Sequence, residues 1–309
     1  MKNLIKNLLL TITLFHINTV RAVDGVIEIN QTCAVHTGCL ENDTAGFPVL
    51  ISGNTKTSFR LTSDLVLPDV DTNGISISAM NITIDFNGYS IKRSGCNSSC
   101  ASIFGSGSGI VINSSGYSGA LIKNGSISGM GLDGIRSLSG DQITVDSMRV
   151  YRNGSIGIRV GKASIVKNNI VFDNKQGIAT DYYSLISKNN TYSNLLQGIS
   201  SQNSQIEHNI ISNNGEGVSG YGSMKIVDNT ILYNRGHGIS IRVSAFETSR
   251  GAMIQDNQIS GNDEYGIKII SGTRHAFKGN MITNNFSGSI SGSIFNLGDN
   301  FCISNDVCP

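Results

Sequence analysis

Residues 206–218 read Ile206-Glu207-His208-Asn209-Ile210-Ile211-Ser212-Asn213-Asn214-Gly215-Glu216-Gly217-Val218. The phrase is an aliphatic residue, two variable positions, Asn, one variable position, an aliphatic residue, two variable positions, then Asn or Asp. Copies are read from Ile165, Ile186, Ile206, Ile226, Ile254 and Phe277, at offsets of 21, 20, 20, 28 and 23 residues. Most are followed by a Gly-Ile or Gly-Val step: Gly177-Ile178, Gly198-Ile199, Gly217-Val218, Gly238-Ile239 and Gly266-Ile267. Self-similarity at this period marks a solenoid, in which one unit cannot bury its apolar face without a neighbour.

Two solenoids suit a period near twenty. A leucine-rich repeat needs Leu at its framework positions, yet residues 150–290 hold only Leu185, Leu195, Leu196 and Leu232. The repeated apolar positions are Ile and Val, which favour strands, and the Asn, Gly and Ser between them oppose helix. The expected fold is therefore all-β: a parallel β-helix whose coils contribute short strands to about three parallel sheets, stacked ~4.8 Å apart. Ile158, Ile178, Ile199, Val218, Ile239 and Ile267 are expected to form one inward column. Ile165, Ile186, Ile206, Ile226, Ile254 and Phe277 form a second, and Ile170, Thr191, Ile211, Ile231, Ile259 and Ile282 a third. Asn168, Asn189, Asn209, Asn229, Asn257 and Asn280 are expected to ladder at a turn, each amide bonding to the next coil. Gly157-Ile158, Gly134-Ile135, Gly109-Ile110 and Gly74-Ile75 extend the anchors upstream, for about nine or ten coils in all.

Residues 1–22 read as a secretory signal: Lys2 and Lys6, an apolar stretch from Leu8 to Phe15, and the small-residue site Val20-Arg21-Ala22. The stretch is too short to span a bilayer. Residues 23–70 are expected to form an N-terminal cap, 71–295 the β-helix, and 296–309 a C-terminal cap or tail. Charged residues are 15% with a net charge of +1, without the basic excess that a nucleic-acid partner calls for. Gly (36) and Asn are abundant and Pro is 3, a composition of tight turns. Six cysteines fall in three close pairs, Cys33 with Cys39, Cys96 with Cys100, and Cys302 with Cys308. In an exported chain this clustering favours local disulfides over a metal site, since no CxxC or His partner accompanies them.

The repeat, with Ile84-Asp85-Phe86-Asn87-Gly88-Tyr89-Ser90-Ile91 ahead of it, resembles the secreted right-handed parallel β-helix proteins of the pectin-lyase-like superfamily. The resemblance covers roughly residues 70–295, and the segment around Gly46-Phe47-Pro48-Val49 looks like the N-terminal portion of uncharacterised bacterial members. It implies a right-handed helix and names no single activity, because lyases, hydrolases and epimerases share the superfamily.

Gly236-His237-Gly238 looks like the Gly-His-Gly motif of polygalacturonases, with Gly266-Ile267-Lys268 where that family places Arg-Ile-Lys. The family's paired aspartates do not follow. One coil before His237 stands Gly215-Glu216, and one coil earlier Leu195-Leu196-Gln197. Loss of the acid and base removes the proton transfers that glycoside hydrolysis needs.

A different constellation can be drawn from the repeat. Gln197, Glu216, His237 and Tyr265 each precede the Gly of their coil and should stack outward. Glu216 and Glu264 would bracket His237 from two coils apart, ~10 Å, near the ~6.5–9.5 Å between the carboxylates of inverting glycosidases. Arg242, Lys268 and Arg274 would supply positive charge, and with Tyr265 they are the substrate-binding candidates; Glu216, His237 and Glu264 are the catalytic ones. The bland account of all seven is a solvated polar face. No cofactor, nucleotide loop or metal cluster is expected. The expected function is an exported β-helix protein that binds polysaccharide or serves a structural or adhesive role at the cell exterior. The alternative is a polysaccharide-modifying enzyme (lyase, glycoside hydrolase or epimerase) with a non-standard site on the lateral face.

Overall fold

A computed structural model describes residues 25–53, 57–95, 104–114, 116–137, 140–243, 251–303 and 308. The expected signal segment 1–22 and the Cys96–Cys100 pair lie outside the described residues. The chain winds as a parallel β-helix. Among the described residues the single helix is Gln31–His36, whose N-cap Asn30 accepts the Cys33 N–H through its side chain.

One face of the helix is an eleven-stranded parallel sheet running from Val49–Ile51 to Gly288–Ser291. The other two faces join into a 21-stranded sheet, because the eight-residue strands Leu121–Ser128 and Thr144–Tyr151 run across both. From residue 165 to 283 each such strand divides into two three-residue strands, such as Ile165–Lys167 and Ile170–Phe172. The bends between faces are made by residues in the left-handed region. Asn168, Lys188, His208, Asp228 and Asp256 turn one corner, Asp173, Ser193, Asn213, Tyr233 and Asn284 the next, and Gln142, Ala163, Tyr183 and Asn203 the third, all with φ between +43° and +62°. After Gly, Asn and Asp tolerate this region best, and seven Asn among the described residues adopt it.

The first inward column stands as expected. Ile158, Ile178, Ile199, Val218, Ile239 and Ile267 pair in register and are fully buried. It extends back through Ile135, Ile110 and Ile75 to Val49. The strands Val49–Ile51, Ser58–Leu61 and Leu65–Leu67 already form a coil, so the stretch preceding the first coil ends near residue 48 and carries the Cys33–Cys39 disulfide. At the other end the third column runs from Ile282 to Cys302, which is bonded to Cys308.

The other two columns need one correction, in their first copy. Val166, not Ile165, pairs with Ile186, and Val171, not Ile170, pairs with Thr191. Ile165 and Ile170 face outward, 38% and 42% exposed. The first ladder residue is likewise Asn169 rather than Asn168, which sits at the left-handed corner and donates to Asp146. The local sequence doubles every position of the phrase (Ile165-Val166, Asn168-Asn169, Ile170-Val171, Asp173-Asn174), so both frames fit the pattern. Burial decides between them.

The ladder then runs Asn169, Asn189, Asn209, Asn229, Asn257, Asn280, Asn300, with Nδ2···Oδ1 bonds of 2.9–3.0 Å. Each Oδ1 also accepts the main-chain N–H of the preceding ladder residue. A second ladder, from Asn153 through Asn174, Asn194, Asn214, Asn234 and Asn262 to Asn285, repeats this at the next corner with bonds of 2.8–3.2 Å. The third corner uses hydroxyls: Ser184 accepts from the Ser164 N–H and Ser204 from the Ser184 N–H. Further along that corner buried His275 takes over, its Nδ1 accepting the Ala252 N–H at 3.1 Å and its Nε2 lying 3.0 Å from the Ser271 carbonyl. With Nδ1 an acceptor, Nε2 carries the proton and donates to Ser271.

Three outcomes follow for stability. Val166→Ala should cost about 1–3 kcal/mol in denaturant unfolding, and Ile165→Ala should stay within about 0.5 kcal/mol; equal effects would refute the register. Asn209→Ala strands the Asn189 donors and should cost about 2–4 kcal/mol. Burial pulls the His275 imidazole below its ordinary value, against the Ser271 carbonyl, which raises it. As pH falls below the ordinary imidazole value the unfolded chain takes up the proton first. Stability is therefore complete above that value and declines below it, down to the lowered folded value. Thermal melts between about pH 7 and pH 5 should show this slope and lose it in His275→Leu.

Candidate functional site

The eleven-stranded sheet presents three columns of outward side chains, each inherited from the register. The central column is Arg136, Arg159, Ala179, Ser200, Ser219, Ser240, Lys268. Four consecutive small residues leave a trough between longer neighbours. One wall is the column that precedes each Gly, including Gln176, Gln197, Glu216 and His237; the other holds Gln202, Tyr221 and Arg242. The trough has two parts, one of about 390 Å³ towards Arg159 and one of about 670 Å³ towards Arg242. Both are lined by Ser200 and Gln202, so they form one groove across the coils.

Glu216 lines the groove and its Oε2 lies 3.4 Å from Gln197 Nε2, which donates to it. His237 also lines it, but half-buried rather than as a free turn residue. Its Nε2 is 2.9 Å from Glu264 Oε2 on the following coil, and its Nδ1 accepts the Tyr265 N–H at 3.3 Å. Both ring nitrogens are thus committed, with the proton on Nε2. The Tyr265 ring leans on the imidazole at a centroid distance of 6.1 Å, and Lys268 Nζ lies 5.1 Å from that ring while donating to Ser291 Oγ at 2.8 Å.

The structure therefore brings Glu216, His237 and Arg242 to one groove. It places Glu264 and Tyr265 against His237, and Lys268 against Tyr265, beyond its end. Arg274 is exposed, does not line the groove, and has its main chain against Gly251 at a different turn. Among the described residues no three His, Cys, Asp or Glu side chains converge as a metal site.

Sequence reasoning passed over the other end of the groove. Asp133 precedes Gly134 in the same wall column, is 1% exposed, and lies within 4 Å of two guanidiniums: Oδ2 is 3.4 Å from Arg159 Nε and 3.9 Å from Arg136 Nε. The signal was present in Asp133-Gly134-Ile135-Arg136 and Gly157-Ile158-Arg159, an Asp one position before a Gly anchor and an Arg two positions after each of two anchors already recognised.

The family model described as right handed beta helix region matches residues 69–199 and 183–306. Among solved structures the chain is similar to a periplasmic alginate epimerase, at 15% identity over 87% of this chain and 82% of that one, with a TM-score of 0.57. It is similar to a pectate lyase at 14% identity, covering 89% and 79% of the two chains, with a TM-score of 0.59. It also resembles tailspike protein 2 of an Escherichia coli bacteriophage at 16% identity, covering 80% of this chain and 41% of that one, with a TM-score of 0.59. No curated protein matches the chain. At these identities the likeness to solved structures is one of fold.

Proposed function

Since the chain belongs to the right-handed β-helix family, we propose that it is an exported protein that binds a polysaccharide along the groove of the eleven-stranded sheet. The observation that carries this is the floor: Ala179, Ser200, Ser219 and Ser240 stay small over four coils between walls of long polar side chains. From Arg159 to Ser240 the lining column spans four coil steps, ~19 Å, which suits an extended polymer better than a compact ligand. Gln, Ser, Tyr and Glu along it supply both donors and acceptors for hydroxyl groups. Solved structures of similar fold are named for alginate and pectate, which are polysaccharides. Local disulfides at Cys33–Cys39 and Cys302–Cys308 suit an oxidising compartment outside the cytosol.

Binding without turnover is favoured by the state of His237. A general acid or base must reach the reacting atom with a free proton site, and both nitrogens of this ring are engaged by Glu264 and Tyr265. One observation favours the enzymatic reading: Glu216 and His237 both line the groove.

Affinity electrophoresis of the native chain against a polysaccharide panel tests the proposal. Ser219→Trp fills the floor and should weaken binding at least about tenfold, as befits blocking a site's central contact, with an unchanged melting temperature. Undiminished binding would remove the groove from consideration. Release of reducing ends or unsaturated uronates by the native protein, lost in Glu216→Gln and His237→Ala, would select the enzyme instead.

A further inference from the structure

Asp133 is an unusual residue for its place. It is 1% exposed, and a buried carboxylate is costly unless it is paired and hydrogen-bonded. Its Oδ1 accepts the Ile156 N–H at 2.9 Å, while its Oδ2 has no hydrogen-bond partner and meets only the two arginines. Arg136 and Arg159 stand in register on adjacent strands, about 4.8 Å apart along the coil axis. Both direct Nε towards Asp133, at 3.9 Å and 3.4 Å, and both side chains keep partial exposure, 30% and 44%.

Among the described residues nothing accepts from their terminal nitrogens. One carboxylate thus serves two neighbouring guanidiniums, so the Asp133–Arg136–Arg159 cluster keeps one positive charge and two donor forks at the end of the groove, where Arg159 is a lining residue. Forks of this geometry match a planar carboxylate bidentately.

Asp141 and Asp181 line the same part of the groove. Asp141 Oδ1 is occupied by the Lys162 N–H at 2.9 Å. These acids would repel a densely charged polyanion and accept hydroxyl hydrogens from a sparsely charged one. We infer that Asp133 is a positioning residue that holds Arg136 and Arg159 as a paired guanidinium site for the carboxylate of an acidic sugar at this end of the groove. The inference rests on the groove reading above and adds the class of polysaccharide: one carrying carboxylates rather than a neutral or heavily sulfated chain.

The test is equilibrium binding of the full chain to polygalacturonate, alginate, neutral dextran and dextran sulfate at fixed ionic strength. A carboxylated polymer should bind tightest. Arg159→Gln should weaken it by about tenfold or more, the equivalent of one lost charge-assisted hydrogen bond, while dextran binding falls by less and circular dichroism shows the variant still folded, with a lowered melting temperature because Asp133 loses its nearer guanidinium. Arg159→Lys should not restore affinity, because an ammonium is a point donor rather than a fork. Asp133→Asn should narrow the preference for carboxylated over sulfated polymer, since the pair loses its anchor and the groove gains charge.

Because Asp133 is buried, the arginine variants carry the test if its variant unfolds. Carboxylate preference that survives both Arg159→Gln and Arg136→Gln overturns this inference and leaves the groove standing. A native preference for dextran or dextran sulfate also overturns it. Failure of every polysaccharide to bind, or binding untouched by Ser219→Trp, overturns the groove itself.

Discussion

Everything in this molecule depends on coils stacking in exact parallel register, and the buried asparagine ladders are the interaction most sensitive to that register. A carboxamide buried in the wall of the helix must satisfy an acceptor and two donors: Asn189 Oδ1 accepts from Asn169 on the preceding coil, while its Nδ2 donates to the Val166 carbonyl on that coil and to Asn209 Oδ1 on the next. Slipping one coil by a single residue would turn each inward side chain outward and strand every amide in the ladder. The apolar columns supply most of the burial, while the amides make one register far better than its neighbours.

Register also explains how the chain tolerates irregular turns. Asn209 and Asn229 are 20 residues apart and Asn229 and Asn257 are 28, yet both pairs bond at 3.0 Å. The ladder bond is kept although eight more residues separate the second pair. Variation is thereby confined to the corners, and the sheet faces remain regular enough to make a continuous trough. The left-handed corners share this logic: each coil turns at the same positions, so residues as unlike as Tyr183 and Asn203 adopt the same backbone conformation.

The groove is a consequence of that regularity. A side chain's height above the sheet is inherited down its column, so four small residues in succession make a floor, and arginine at two successive positions makes a pair. Asp133 belongs to the wall column of Gln176, Gln197, Glu216 and His237, but an Asp there is within reach of the central column's arginines on its own and the next coil. His237 shows the opposite case. Its neighbour Glu264 captures the imidazole, and a motif that looks catalytic in the linear chain becomes a pinned wall residue.

Much of this was legible in the linear chain, because a solenoid converts sequence period directly into spatial neighbourhood. The Ile and Val spacing determined a parallel β-helix, the Gly-Ile anchors determined the first inward column back to Ile75, and the recurrent Asn determined a ladder. Tertiary structure alone decided the frame of the first tight copy, since Ile165-Val166 and Asn168-Asn169 satisfy the pattern equally and only burial separates them. It alone decided that Arg242 lines the groove while Arg274 does not, and that Asp133 meets two arginines. Period specifies which column a residue occupies, but not the direction its side chain takes within that column. That direction is settled by which partner lies within hydrogen-bonding reach once the coils are stacked.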